Sequence, residues 1–462
     1  MKKRQKKQSL HTHINSLWNK PSIQKAVLTL LKEVKKESDQ VCTVKRGPKN
    51  KTYQKLLKEF SSLRAGKLYY PYLSSGIGNG ALIKLMDGSV KYDLINGIGV
   101  HPGHSLPKLI KANLKASLED TIMQGNLQQN HESYKLCKKL TQYSKLDHCF
   151  LTSSGAMAVE NALKLAFQKQ YPKSRIIAFK NCFSGRTLAL SQITDKPAYR
   201  EGLPKTVAVD YIPFYDETDQ NSLKKTCQEL RKILKKHPKK HAVMIAELIQ
   251  GEGGYYPGNK EFFEGVFSEL KKQGVTIILD EIQTFGRTRK LFAFQTFGLQ
   301  KYCDIVTIGK LSQVCATLFS KEYKPKPGLI SQTFTSSSSA IESALCILDM
   351  IHPPSKTILG PKGKLVEIST LFRKGLQEIS KKYPDKLNGP YGFDAMVSMT
   401  VYNGDKDQTI AFANRLFENG VIGFIAGKDP YRLRFLLPYL VLKKSDIPII
   451  LSIIKKTLLE KD

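Results

Sequence analysis

From about residue 145 the chain alternates short apolar runs with longer amphipathic ones. The short runs are 149–152, 175–179, 207–212, 242–248, 275–280 and 304–309, built mostly from Val, Ile, Leu, Ala and Phe. Runs of that length, with little internal alternation, read as strands buried on both faces. Between them, 156–169, 222–236 and 260–273 carry apolar residues at helical spacing. Strand alternating with helix implies an α/β fold, a largely parallel sheet flanked by helices, with its ligand site at the carboxyl ends of the strands.

The flanks differ. Residues 1–70 read as a helical leader, with apolar residues at helical spacing in 23–34 and 53–63. Next, 71–110 forms an N-terminal segment: Gly76-x-Gly-x-Gly80 introduces a hairpin over 81–93 with Asp87-Gly88 as its turn. The large domain then covers 111–345, and the looser pattern of 346–462 reads as a small α+β C-terminal domain.

Charge alters this picture only at one end. The chain of 462 residues carries a net +33, and residues 1–70 hold 18 Lys and Arg against 4 Asp and Glu. Such a leader reads first as solvated surface, and contact with nucleic acid or an anionic membrane is the lesser reading. No run of eighteen apolar residues marks a membrane span, and the basic start at Met1–Gln8 lacks the apolar core of a secretory signal. Eight cysteines are scattered without a Cys-x-x-Cys pair, which points to a reducing cytoplasm rather than to zinc or disulfides.

Two strand ends carry the main chemical signal. The run at 275–280 ends in Asp280, and the run at 304–309 leads straight into Lys310. An acid and an amine at one end of a sheet suit a pyridoxal phosphate ring: the amine meets the aldehyde and the acid meets the pyridine nitrogen. Thr152-Ser-Ser154-Gly155-Ala156 closes another strand and opens a helix, a seat for phosphate or an ordinary cap. Glu247 and Glu252 lie five apart around a glycine-rich turn, as site groups or as surface acids.

In this order the motifs resemble the class III, or ω-amino acid, aminotransferases of the fold-type I pyridoxal phosphate superfamily. The similar stretches are Ser154–Lys164, Asn181–Thr187, Ala246–Gly254, Leu279–Thr288, Asp304–Lys310 and Gln332-Thr333-Phe334, from about residue 70 onward. The resemblance implies a mostly parallel seven-stranded sheet in the large domain and a homodimer as the active unit. Lys310 would hold the cofactor as a Schiff base and then carry the substrate proton. Asp280 would keep the ring nitrogen protonated, Gln283 would bond the ring oxygen, and Phe183 would cover the ring face. Ser154, Gly155 and Ala156 would take the phosphate, with Thr333 completing that site from the neighbouring subunit. Arg434, in Tyr431-Arg-Leu-Arg434-Phe-Leu-Leu-Pro438, would clamp a substrate carboxylate, and Glu252 would mask it while the amine donor is bound.

Departures from the family pattern cluster at the pocket walls: Ser184, a glycine missing before Phe285, Leu-Ser-Gln-Val-Cys315 after the lysine, and 335–339. Gln-Val-Cys is similar to lysine 6-aminotransferases. The implied reaction transfers an amino group from a lysine, ornithine, acetylornithine or 4-aminobutyrate type of donor to 2-oxoglutarate. An aminomutase or decarboxylating enzyme on the same scaffold, or an inactive basic binding homologue, are the other readings.

Overall fold

A computed structural model describes residues 17–48, 50–353 and 357–460. The basic run Met1–Gln8 lies outside the described residues. Seven strands form the central sheet: β1 (His148–Thr152), β2 (Arg175–Phe179), β3 (Ala208–Ile212), β4 (His241–Ala246), β5 (Thr276–Glu281), β6 (Ile305–Ile308) and β7 (Cys315–Phe319). Their spatial order is β1-β7-β6-β5-β4-β2-β3, all parallel except β7, which runs against both of its neighbours.

Alternation along these strands divides two apolar cores between the faces of the sheet. Ile177, Met244, Ile277, Leu279 and Val306 enter one core, while Ile176, Val243, Ile245, Ile278 and Ile305 enter the other. The helix Gly155–Gln170 closes the second face, packing Val159, Ala162, Leu163 and Ala166 against it. Burial on both sides explains why the strands read as continuous apolar runs.

The C-terminal part builds an antiparallel sheet from β8 (Leu387–Phe393), β9 (Met396–Val401), β10 (Phe424–Gly427) and β11 (Tyr431–Leu436), in the order β8-β9-β11-β10. The expected division at 345/346 falls inside the helix Ser338–Ile351. At the N-terminal side, Leu82–Leu85 and Val90–Asp93 pair as the hairpin read from sequence. Gly88 takes the turn at a φ of 82° and donates to Leu85 O. Val90–Asp93 also pairs in parallel with Val421–Ile422, so this segment is tied to the C-terminal part. Ahead of it lie the leader helices Pro21–Asp39 and Lys51–Leu63.

Candidate active site

The register of the sheet sets the central pair. Asp280 lies opposite Thr307, so Lys310, three residues beyond, emerges at the same end of the sheet. Lys310 adopts a left-handed φ of 53°, uncommon for a side chain with a Cβ, at the start of a short 3-10 turn. Gln313 closes that turn at a φ of 60°, and its amide is tied down by donating to Val100 O at 2.5 Å. Strained backbone of this kind persists where the surroundings hold it, as here.

Asp280 is 7 % exposed and accepts from Ile282 N at 3.1 Å and Thr307 Oγ1 at 3.3 Å. Burial pushes its carboxyl up to about 6, against those two bonds and the charge of Lys310. Burial likewise lowers the Lys310 amine, helped by Arg287 and Arg434, while Glu252 and Asp280 oppose the shift. A buried acid above its ordinary range is what a cation placed beside it would correct.

That displacement has a consequence for stability. The folded protein holds the Asp280 proton more tightly than the unfolded chain, so the group's contribution is greatest below about pH 4 and is lost as pH rises through about 6. The loss amounts to about 3 kcal/mol. Calorimetry on cofactor-free protein should show the thermal midpoint falling across this window, and falling less in Asp280→Asn. Equal slopes in the two proteins would contradict the assignment.

At the end of β1, Ser154 caps the helix Gly155–Gln170, its Oγ accepting from Met157 N at 3.2 Å. The N–H groups of Gly155 and Ala156 begin that helix and so have no intrahelical acceptor. A Cβ on Gly155 would stand 3.0 Å from the Ile282 side chain, so any larger residue here would require that side chain to give way. Nearby, Gln332 accepts from Thr152 Oγ1 at 2.7 Å, and its buried Nε2 has no partner. These open donors, with the acid and the amine, fit pyridoxal phosphate: a dianion at the helix start, a cation at Asp280 and an aldehyde at Lys310.

The residues expected to flank a cofactor ring come from neighbouring loops. Phe183 is half-buried and donates its N–H to Glu247 Oε2 at 2.8 Å. Glu247 also accepts from Gly251 N at 2.9 Å, and burial with the adjacent Asp280 pushes it up to about 8. Gln283 is buried beneath Gly251, where a Cβ would come within 2.8 Å of its amide.

Arg434 is fully buried on β11 and reaches across to the turn after β4. It donates Nη2 to Glu252 Oε1 at 2.5 Å and Nη1 to Gly251 O at 3.1 Å and Gln283 Oε1 at 3.4 Å. Its Nε has no partner. Burial pushes Glu252 up, but Arg434, Lys196 and Lys310 outweigh it and hold the carboxyl below its ordinary range. Neither acid that the sequence left ambiguous is therefore a free surface carboxylate.

Thr333 stands apart from this cluster. It is exposed, beside the exposed rings and chains of Phe334, Ile122, Met123 and Leu127. Thr307 and Arg287 were not singled out from sequence, and Cys315 was noted only within a departure from the family pattern after the lysine. Thr307 steadies Asp280, and Cys315 lies so close to the lysine segment that a Cβ on Gly309 would meet its Sγ at 2.9 Å. Arg287 is buried without a carboxylate partner among the described residues and donates to Gln283 O at 3.0 Å and to Gly99 O.

Aminotransferase class-III is the family that matches residues 71–458. The acetylornithine aminotransferase of Methanocaldococcus jannaschii is 28% identical over 398 residues, 83% of this chain and 92% of that protein. Among solved structures, a Bacillus anthracis aminotransferase superposes with a TM-score of 0.79 at 19% identity, covering 89% of this chain and 99% of that one. The lysine aminotransferase of M. tuberculosis gives 0.75 at 20% identity, covering 87% and 98%. These two structures share the fold.

Proposed function

The chain belongs to the class III aminotransferases, pyridoxal phosphate enzymes, and we propose that it moves the terminal amino group of an ω-amino or diamino acid to 2-oxoglutarate. The observation that carries this reading is the Glu252–Arg434 pair facing the amine of Lys310. An arginine that is buried but masked by its own carboxylate serves a pocket with two unlike occupants. Donors of the lysine, ornithine, acetylornithine and 4-aminobutyrate type all fit this class. The acetylornithine name of the M. jannaschii relative supports the middle of that range.

Pyridoxal phosphate, when bound, supplies the electron sink that takes up the pair left by a departing substrate proton. The chain's own residues do the rest. Burial lowers the basicity of Lys310, which favours the neutral amine that would take the proton at Nζ and return it at the new position. Asp280 would pair with the ring nitrogen and Gln283 would bond the ring oxygen. Phe183 would cover the ring, and Ser154, Gly155 and Ala156 would hold the phosphate.

Glu252 keeps Arg434 masked while a terminal amine enters, and swings off it for the carboxylate of glutamate or 2-oxoglutarate. Arg186 and Lys196, whose cations lie 4.2 Å and 5.4 Å from the Tyr199 ring, stand ready for a donor's distant carboxylate. In Glu252→Ala the arginine is permanently unmasked. Initial rates across a donor panel should show α-amino donors gaining about tenfold relative to ω-amino donors. Unchanged donor preference would rule out the masking role.

The active unit we propose is a homodimer in the cytoplasm. Exposed Ile122, Met123, Leu127 and Phe334 around Thr333 form the kind of apolar surface that a second copy covers, letting Thr333 reach the partner's phosphate. The scatter of eight free cysteines supports a reducing compartment.

A further inference from the structure

β11 carries a second buried arginine that the transamination chemistry does not use. Arg432 stands two residues before Arg434, so both leave the strand on the same face, toward the turn after β4. Arg434 grips the start of that turn, and Arg432 grips its end by donating Nη1 to Gly254 O at 3.0 Å. The Arg432 guanidinium is clasped between the rings of Tyr256 and Tyr391, 3.9 Å from each centroid. It is 6 % exposed, its Nε has no partner, and no carboxylate ion-pairs with it among the described residues.

Beside it opens a cavity of about 580 Å³. One wall follows the carboxyl ends of β2 and β3, with Phe214 and Tyr215, and the other comes from the C-terminal part, with Arg373, Tyr391 and Arg432. Arg373 is half-buried, donates Nη1 to Tyr391 O at 2.9 Å, and also has no carboxylate partner among the described residues. The acids of this cavity, Asp216 and Glu217, are both exposed. Asp216 Oδ1 is already occupied by Thr218 N and Oγ1.

Glu217 acts on both arginines, and Asp394 on Arg373, only through space; with no carboxylate in contact among the described residues the arrangement is unfinished, since a buried cation is best tolerated when something pairs with it directly. Both faces of Arg432 are covered by rings. With Nη1 on Gly254 O and Nε sealed from the cavity, Nη2 is the donor left to meet an anion. We propose that this cavity binds a small aromatic carboxylate, its carboxylate on Arg432 and Arg373 and its ring among Phe214, Tyr215 and Tyr256. The turn Gly251–Tyr256 separates this site from Lys310, turning Glu252 to one side and Tyr256 to the other. An occupant would therefore hold the end of the same turn that carries Glu252.

Calorimetric titration of the pyridoxal-phosphate-loaded protein with indole-3-acetate tests this directly, without reference to turnover. One site per chain is expected, with a Kd below about 1 mM. The neutral analogue indole-3-ethanol should bind at least about tenfold more weakly, and Arg373→Gln should weaken indole-3-acetate by a similar factor. Saturating glutamate should leave the Kd unchanged. Absence of binding up to about 5 mM, indifference to Arg373→Gln, or displacement by glutamate would each overturn the proposal, the last by placing the probe in the catalytic pocket.

Discussion

Lys310→Ala is expected to reduce kcat/KM for transamination by at least about 10³-fold, because proton transfer by a positioned base alone contributes about 10²–10⁴. The argument is local. Lys310 is the amine whose charge Asp280, Glu252 and Arg434 all feel, and no other lysine is set at the end of β6. The long-wavelength absorbance of lysine-linked cofactor should vanish with it. Folding should survive, since burial already disfavours the charged amine and removing it leaves no carboxylate unpaired: Asp280 keeps Ile282 N and Thr307, and Glu252 keeps Arg434. Exogenous ethylamine should restore part of the rate if the missing group is a proton carrier. An unmodified rate in the variant would remove Lys310 from the chemistry, and a wild-type protein with neither absorbance nor turnover would revive the inactive-homologue reading.

How far the sequence alone reaches depends on whether a signal is local. Asp280 and Lys310 were legible because each ends a strand buried on both faces, and a charged residue in such a place stands out. Ser154 was legible as a cap, and capping is chemistry of three or four adjacent residues. The strand Cys315–Phe319 went unread because it doubles back only a few residues after Lys310 through a turn with no glycine. Gln313 takes the left-handed position there and is held by its side chain on Val100, a contact more than two hundred residues away in sequence. Glu247 was ambiguous for the opposite reason: its surroundings, Phe183 N and Asp280, come from a loop and a strand distant in sequence. The pairing of Val90–Asp93 with Val421–Ile422 joins chain ends that share no pattern. Arg432 looked like one more cation in a basic chain, and only the two tyrosine rings around it give it a role.

The same distinction makes Arg434 the most informative residue after the lysine. Arg434→Leu should weaken the glutamate and 2-oxoglutarate half-reaction by about 10²–10³-fold in kcat/KM, since truncating one partner of a buried charge pair costs about 3–5 kcal/mol. The half-reaction with the ω-amino donor should change by less than about tenfold, because Glu252 masks the arginine during that step. Without Arg434 only Lys196 and Lys310 oppose the burial of Glu252, so its carboxyl should shift upward and the residual glutamate reaction should acquire a new pH dependence. Glu252→Ala in the same protein should remove that pH dependence and recover stability without recovering glutamate turnover, the non-additivity expected of two groups acting as a unit. Stopped-flow measurement of each half-reaction separates these outcomes. If both half-reactions fall together, Arg434 acts by holding Gly251 and Gln283 in place, and the discrimination between substrates must come from the cations around Tyr199.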